Sequence, residues 1–309
     1  MSEPTELHQP SCPVCATPVQ AAADLKCGAC GFQAKLGGDG IYRPAQQAEA
    51  DENSREIAYP EEGSDLTMRV EEASFWFTHR NRVIEALLER FRPEGELWDI
   101  GGGNGFQARH LQQLGQGVVL VDPSAAGCRN ARARGVGRVL EGTLQSFHLP
   151  DGKVAAISMF DVLEHLADPD AILAECRRVL RPGGLLYVTV PAYDMLWSDE
   201  DVFARHERRY TRASLCGELE RNGFHVMYDS YYFQFLVLPI LLLRALPYRL
   251  RRGSSAEDMT MDESEHLPSP AMKRVLDAFL ACELGSVRRG RKLGFGSSVV
   301  AVARVTGET

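Results

Sequence analysis

Apolar residues along this chain fall into short runs separated by longer stretches of mixed polarity. Leu97, Trp98 and Ile100 make one run, residues 118–121 a second, 139–141 a third, 155–159 a fourth and 185–190 a fifth. Such runs suit strands buried on both faces. Between them, residues 106–114, 125–134 and the stretch opening at Pro169 and closing at Leu180 have helical spacing. The Pro-Gly-Gly at 182–184 stops that last helix and turns the chain into the fifth strand. Strands alternating with helices through five units predict a doubly wound parallel sheet, whose ligands lie at the carboxyl ends of its strands.

The flanks extend this picture. A helix is expected from about 71 to 91, with Val83, Ile84, Leu87, Leu88 and Phe91 on one face and Pro93 as its stop. Its first half, from Phe75 to Arg80, holds more aromatic surface than one stripe requires. After the fifth strand, residues 193–210 lack a clean period yet are rich in polar groups, which suits a specificity loop. Thr211 caps a helix ending at Gly223, residues 224–232 read as a sixth strand, 271–287 as a last helix and 296–303 as a closing strand. Residues 235–243 form an apolar run too short to span a membrane and broken by Pro239, with Arg244, Arg249, Arg251 and Arg252 behind it. It fits a peripheral membrane contact through 235–252 or an insertion that packs on its own domain or forms a dimer.

Between the first strand and its helix lies Asp99-Ile-Gly101-Gly-Gly103-Asn-Gly105. Glycines at alternate positions let a ligand approach the backbone, and a strand, glycine turn and helix make a nucleotide corner. A dinucleotide fingerprint needs glycine where Phe106 stands. The next acidic residue, Asp122, ends the second apolar run, where a carboxylate can accept both hydroxyls of a ribose. This pattern resembles motif I and the acidic strand-2 residue of the class I S-adenosylmethionine-dependent methyltransferases. Val-Leu-Glu-His-Leu at 162–166 and Leu-Arg-Pro-Gly-Gly at 180–184 resemble further motifs of that family, including its ubiquinone and small-molecule O-methylating members.

The resemblance implies a Rossmann-like seven-stranded methyltransferase sheet over residues 71–309, with an insertion at about 231–270. Its cofactor would be S-adenosylmethionine, held by Asp99, Gly101, Gly103, Gly105 and Asp122, with Thr143 and Leu144 near the adenine and the backbone of Met159 or Phe160 lining the pocket. Thr143 stands where the family often has an acidic residue. Arg80 would meet the methionine carboxylate, and His165 would sit at the substrate mouth. Within the polar loop, His206, Arg209 and Tyr210 are the substrate-facing candidates; His165 and His206 are candidate bases, and Tyr210 completes the catalytic set.

Four of the eight cysteines form two Cys-x-x-Cys pairs, Cys12 with Cys15 and Cys27 with Cys30. Two such knuckles close a tetrahedral thiolate shell with no open position, so residues 11–44 read as a ribbon around structural Zn²⁺. The other four, Cys128, Cys176, Cys216 and Cys282, are expected to pack as small apolar side chains. Residues 45–70 are polar and acidic and read as a linker.

Size and charge narrow the function. A chain of 309 residues suits one full domain with an appendage. A net charge of −8 argues against wholesale nucleic-acid binding. The polar start, with prolines at 4 and 10, contains no apolar leader, so the expected location is cytoplasmic, including the inner membrane face. The acceptor is expected to be a small molecule, a lipid-linked compound or a cell-envelope saccharide. An RNA methyltransferase gripping RNA through the ribbon and a non-catalytic cofactor-binding scaffold stay open as alternatives.

Overall fold

The computed structural model describes residues 12–15, 17–19, 24–45, 68, 71, 72, 74–250 and 270–306. The acidic linker and the polar stretch after 252 lie almost wholly outside the described residues.

Ten strands form one sheet: β1 (Asp24–Lys26), β2 (Gln33–Leu36), β3 (Tyr42–Pro44), β4 (Leu97–Ile100), β5 (Val118–Asp122), β6 (Val139–Glu141), β7 (Val154–Phe160), β8 (Leu180–Pro191), β9 (Phe224–Tyr232) and β10 (Ser298–Val305). Their order is β1-β2-β3-β6-β5-β4-β7-β8-β10-β9. From β6 to β9 this is the expected seven-stranded sheet, with β6, β5, β4, β7 and β8 parallel and β10 antiparallel to both β8 and β9. The count rises to ten because the cysteine ribbon joins the sheet. Its β3 pairs in parallel with β6 through Tyr42 and Leu140, and Arg43 donates to both Asp39 and Glu141.

The helices are α1 (Phe75–Arg90), α2 (Phe106–Gln113), α3 (Ala125–Ala133), α4 (Pro169–Val179), α5 (Asp199–Phe203), α6 (Arg212–Arg221), α7 (Val237–Ile240), α8 (Leu246–Leu250) and α9 (Pro270–Arg288). Local chemistry sets their ends. The hydroxyls of Ser74, Ser124 and Thr211 and the carboxylate of Asp168 accept backbone N–H groups at the starts of α1, α3, α6 and α4. Gly223, at φ 80°, releases the chain after α6. The Leu-Arg-Pro-Gly-Gly segment is not a free turn. It is a bulge inside β8, because Leu180 already pairs with Val154 before the register shifts and resumes at Leu185 and Ala156.

The sheet divides two apolar layers. One holds α1, α2, α3 and α9 through Val83, Ile84, Leu87, Leu111 and Leu280; the other holds α4 and α6 through Leu173, Cys176, Leu215 and Leu219 together with the ribbon residues Leu25 and Phe32. Cys128 and Cys176 are buried as expected. Cys216 is half-buried and Cys282 exposed, since they lie on outward parts of α6 and α9.

Candidate active site

The glycine turn leaves β4 at its carboxyl end and enters α2. Its three alternate glycines all have positive φ, for different reasons. A Cβ on Gly101 would strike Val162, and one on Gly105 would strike Ala131 and Val136, whereas one on Gly103 would meet nothing within 4 Å. Gly101 and Gly105 are therefore set by packing, and Gly103 borders the open space where a ligand can approach the main chain. Asp122 fixes that wall: its carboxylate accepts from the N–H groups of Gly103 and Ser124, each at 2.8 Å. Asp99 lies behind the turn, 1% exposed, accepting from the Ser158 hydroxyl at 2.8 Å. Burial pushes both carboxyls up to about 6.

Around this cradle stand the other expected cofactor contacts. Thr143 and Leu144 follow β6; the Thr143 hydroxyl accepts from the Ser146 N–H at 3.3 Å, and Leu144 is buried. Met159 and Phe160 end β7, and their side chains lie in opposite apolar layers. Arg80, on α1, pairs with Asp161 just past β7, while its guanidinium lies 4.9 Å from the Trp76 ring centroid and 5.3 Å from that of Phe77. Asp161 adopts φ 58° and also accepts from Thr189 at 3.1 Å. Phe77 meets Phe106 edge-on at 6.0 Å, so the aromatic start of α1 lies against the exit of the glycine turn.

A second group of polar residues forms where the turn after β7 meets the loop after β8. The rings of His165 and His206 pack edge to face at 4.7 Å. Burial, and then the neighbouring His206, push His165 down to about 4. His206 Nδ1 contacts Asp201 Oδ1 at 2.8 Å, and Asp201 is also held by Arg209 at 2.7 and 2.9 Å and by the Ser198 N–H at 2.8 Å. Glu164 is 1% exposed. Burial, and then Asp161, raise its carboxyl well above the usual carboxylate range.

The structure therefore brings His165, His206 and Arg209 together, but not Tyr210. That side chain is 2% exposed within the core and donates from its hydroxyl to Glu218 at 3.3 Å, because backbone bridging between Ala192 and Tyr210 turns it inward. Asp161, Glu164 and Asp201 complete the constellation and were not singled out by sequence. Two sit in the Asp-Val-Leu-Glu-His run beside residues that were, and attention to every acid of that run would have found them.

At the far sheet edge, the four ribbon thiols lie within 4.8 Å of one another, with Cys12 and Cys30 sulfurs 3.6 Å apart and Cys15 and Cys27 sulfurs 3.5 Å apart. Thiolates bound tetrahedrally at about 2.3 Å stand roughly 3.8 Å from one another, so the donor set fits such an ion.

A parallel sheet with a glycine cradle at its switch point and an acid at the end of the next strand defines a nucleotide-cofactor enzyme of the doubly wound class. Comparison with known proteins resolves the class. Residues 98–188 match the methyltransferase domain family. A Mycolicibacterium smegmatis protein described as a probable S-adenosylmethionine-dependent methyltransferase is 31% identical over 179 residues, covering 57% of this chain and 69% of that one. A Mycobacterium tuberculosis protein of the same description is 32% identical over 119 residues, 38% of this chain and 43% of its own length. The ubiquinone biosynthesis O-methyltransferase of Xanthomonas oryzae is 29% identical over 97 residues, 29% of this chain and 41% of that one. Among solved structures, a Thermotoga maritima S-adenosylmethionine-dependent methyltransferase aligns with a TM-score of 0.48 at 19% identity, covering 78% of this chain and 93% of that one. The chain belongs to the class I S-adenosylmethionine-dependent methyltransferases.

Proposed function

We propose that this enzyme methylates a lipid-linked acceptor at a membrane surface. Bound S-adenosylmethionine supplies a methyl group already activated by its sulfonium charge. The chain's own work is to align an acceptor with that methyl and exclude water. Gly103 and Asp122 would hold the ribose, Thr143 and Leu144 the adenine, and Arg80 the methionine carboxylate. His165 and His206 are the groups available to take a proton from the acceptor. The four ribbon cysteines would hold structural Zn²⁺.

The observation that carries the acceptor reading is the surface of the helical segment 234–250. Leu238, Leu242, Leu246 and Leu250, spaced four apart, are all exposed, and so is Leu243, at 76%. Exposed apolar side chains grouped in this way mark an interaction surface. The segment adjoins the polar loop: Arg244 pairs with Glu200 of α5 at 2.5 Å, and Arg249 donates to the Asp194 carbonyl at 3.1 Å. A lipid held by these leucines would thus lie beside the element that anchors His206. No described helix is long and apolar enough to cross a membrane, so the contact would be peripheral.

The test uses phosphatidylglycerol vesicles and methyl-labelled S-adenosylmethionine with a bacterial membrane extract. The expected result is co-sedimentation with vesicles, lost in the Leu243→Glu/Leu250→Glu double variant, and label entering the chloroform phase. Label confined to water-soluble products, with no vesicle binding, would overturn the lipid reading.

A further inference from the structure

Glu164 presents an unusual problem of satisfaction. Its side chain is buried, yet neither carboxylate oxygen has a hydrogen-bond partner among the described residues. A buried carboxylate left in this way is costly unless a cation or donor meets it. Arg80 pairs with Asp161 rather than with Glu164, and Arg209 with Asp201 and the Ala192 carbonyl. What faces Glu164 instead is a pair of imidazoles: one ligand atom each from Glu164, His165 and His206 lie within 4.8 Å of one another.

Each imidazole is oriented from its other side. His206 Nδ1 is taken by Asp201, which leaves Nε2 free to ligate, and one His165 ring nitrogen is hydrogen-bonded to the Ala204 backbone. Asp201 is in turn fixed by Arg209 and Ser198. A carboxylate behind a histidine is the usual support for a metal-bound imidazole. The two segments are also stitched together by the Glu207 N–H donating to the Glu164 carbonyl at 2.7 Å. We infer that Glu164, His165 and His206 form a divalent metal site, separate from the cysteine ribbon.

Two imidazoles and one carboxylate suit a first-row transition ion and leave open positions for water or for oxygens of a substrate. Ligands held at about 2.0–2.2 Å stand roughly 3–3.5 Å apart, so binding needs the two rings and the carboxylate to close by no more than an ångström or two. The nearby Asp161 adds negative charge and pairs with Arg80. With the ion bound the two imidazoles act as ligands rather than as bases, and an acceptor hydroxyl bound to the ion is acidified by it instead. The site itself does not depend on which acceptor is methylated.

The probe is Mn²⁺, which favours nitrogen and oxygen donors over thiolates, titrated into the full chain with its ribbon loaded with zinc. The loss of the free-ion electron paramagnetic resonance signal reports binding. One saturable Mn²⁺ per chain is expected, weakened at least tenfold by Glu164→Gln and roughly ten- to a hundredfold by the positioning variant Asp201→Asn. Circular dichroism establishes that each variant is folded; if Glu164→Gln is not, His206→Gln replaces it. Absence of saturable binding in the wild type, or unaltered binding in a folded ligand variant, overturns the assignment.

Discussion

Asp99 and Asp122 show how single residues shape the cradle at a cost to the fold. Both are buried acids raised from an ordinary value of 3.8 to about 6, chiefly by loss of hydration. The folded state binds these protons more tightly than the unfolded chain, so their contribution to stability is greatest below pH 4 and is lost as pH rises to 6. For Asp99 alone that loss is about 3 kcal/mol, from roughly 1.4 kcal/mol per pH unit. Asp99→Asn keeps the acceptor for Ser158 and removes the ionisation. Urea unfolding of the ligand-free protein should then show a decline between pH 4 and 6 that is smaller than that of the wild type by up to about 3 kcal/mol; an undiminished slope would assign the titration elsewhere. These two acids were legible in the sequence because Asp99 opens the glycine pattern and Asp122 ends an apolar run. Asp201 was not: it lies in a stretch of sequence without period, and only the folded chain shows that His206 and Arg209 converge on it.

Among the elements, apolar runs buried on both faces made β4 to β8 legible, and caps such as Thr211 and Asp168 marked the helices. The role of α9 could not be read, because its partners are remote in sequence. Glu283 on α9 accepts from the N–H groups of Phe233 and Gln234 at 2.8 and 2.9 Å and contacts His79 Nε2 on α1 at 2.8 Å. One carboxylate thus joins α1, the end of β9 and the start of the exposed leucine segment. Phe233 sits at φ 59°, where a branched or bulky side chain is disfavoured, so the turn depends on these bonds. Glu283→Ala should destabilise the protein by about 3 kcal/mol, the order expected when buried partners of a charge are orphaned, and raise proteolytic cleavage near 234–250. Unchanged thermal unfolding and an unchanged digestion pattern would refute this role.

For the whole molecule, the sequence suggested an appendage and a domain joined by a linker, whereas the appendage is part of the sheet. The signal was too small to find: β3 is three residues long and meets β6 through a single residue pair, helped by Arg43 and Glu141. A ribbon this short cannot bury enough apolar surface to hold itself together without a bound ion. Because β6 leads into Thr143, loss of the ribbon should reach the cofactor cradle. Chelation with a strong thiolate-metal competitor is expected to lower the main thermal transition by several degrees and to weaken S-adenosylmethionine binding measured by calorimetry. A separate low-temperature transition with unchanged affinity would mean that ribbon and sheet behave independently.

The parallel register of β3 on β6 also settles what would otherwise happen at that end of the sheet. Without it, β6 would be a terminal strand with unpaired N–H and C=O groups and buried Val139 and Leu140 beside them, a template for edge-to-edge association. The new outer strand, β1, is short and carries Asp24 and Lys26 facing solvent. The cysteine ribbon is therefore also a guard on an aggregation-prone border, and an ion bound by its four thiols would protect solubility as well as shape.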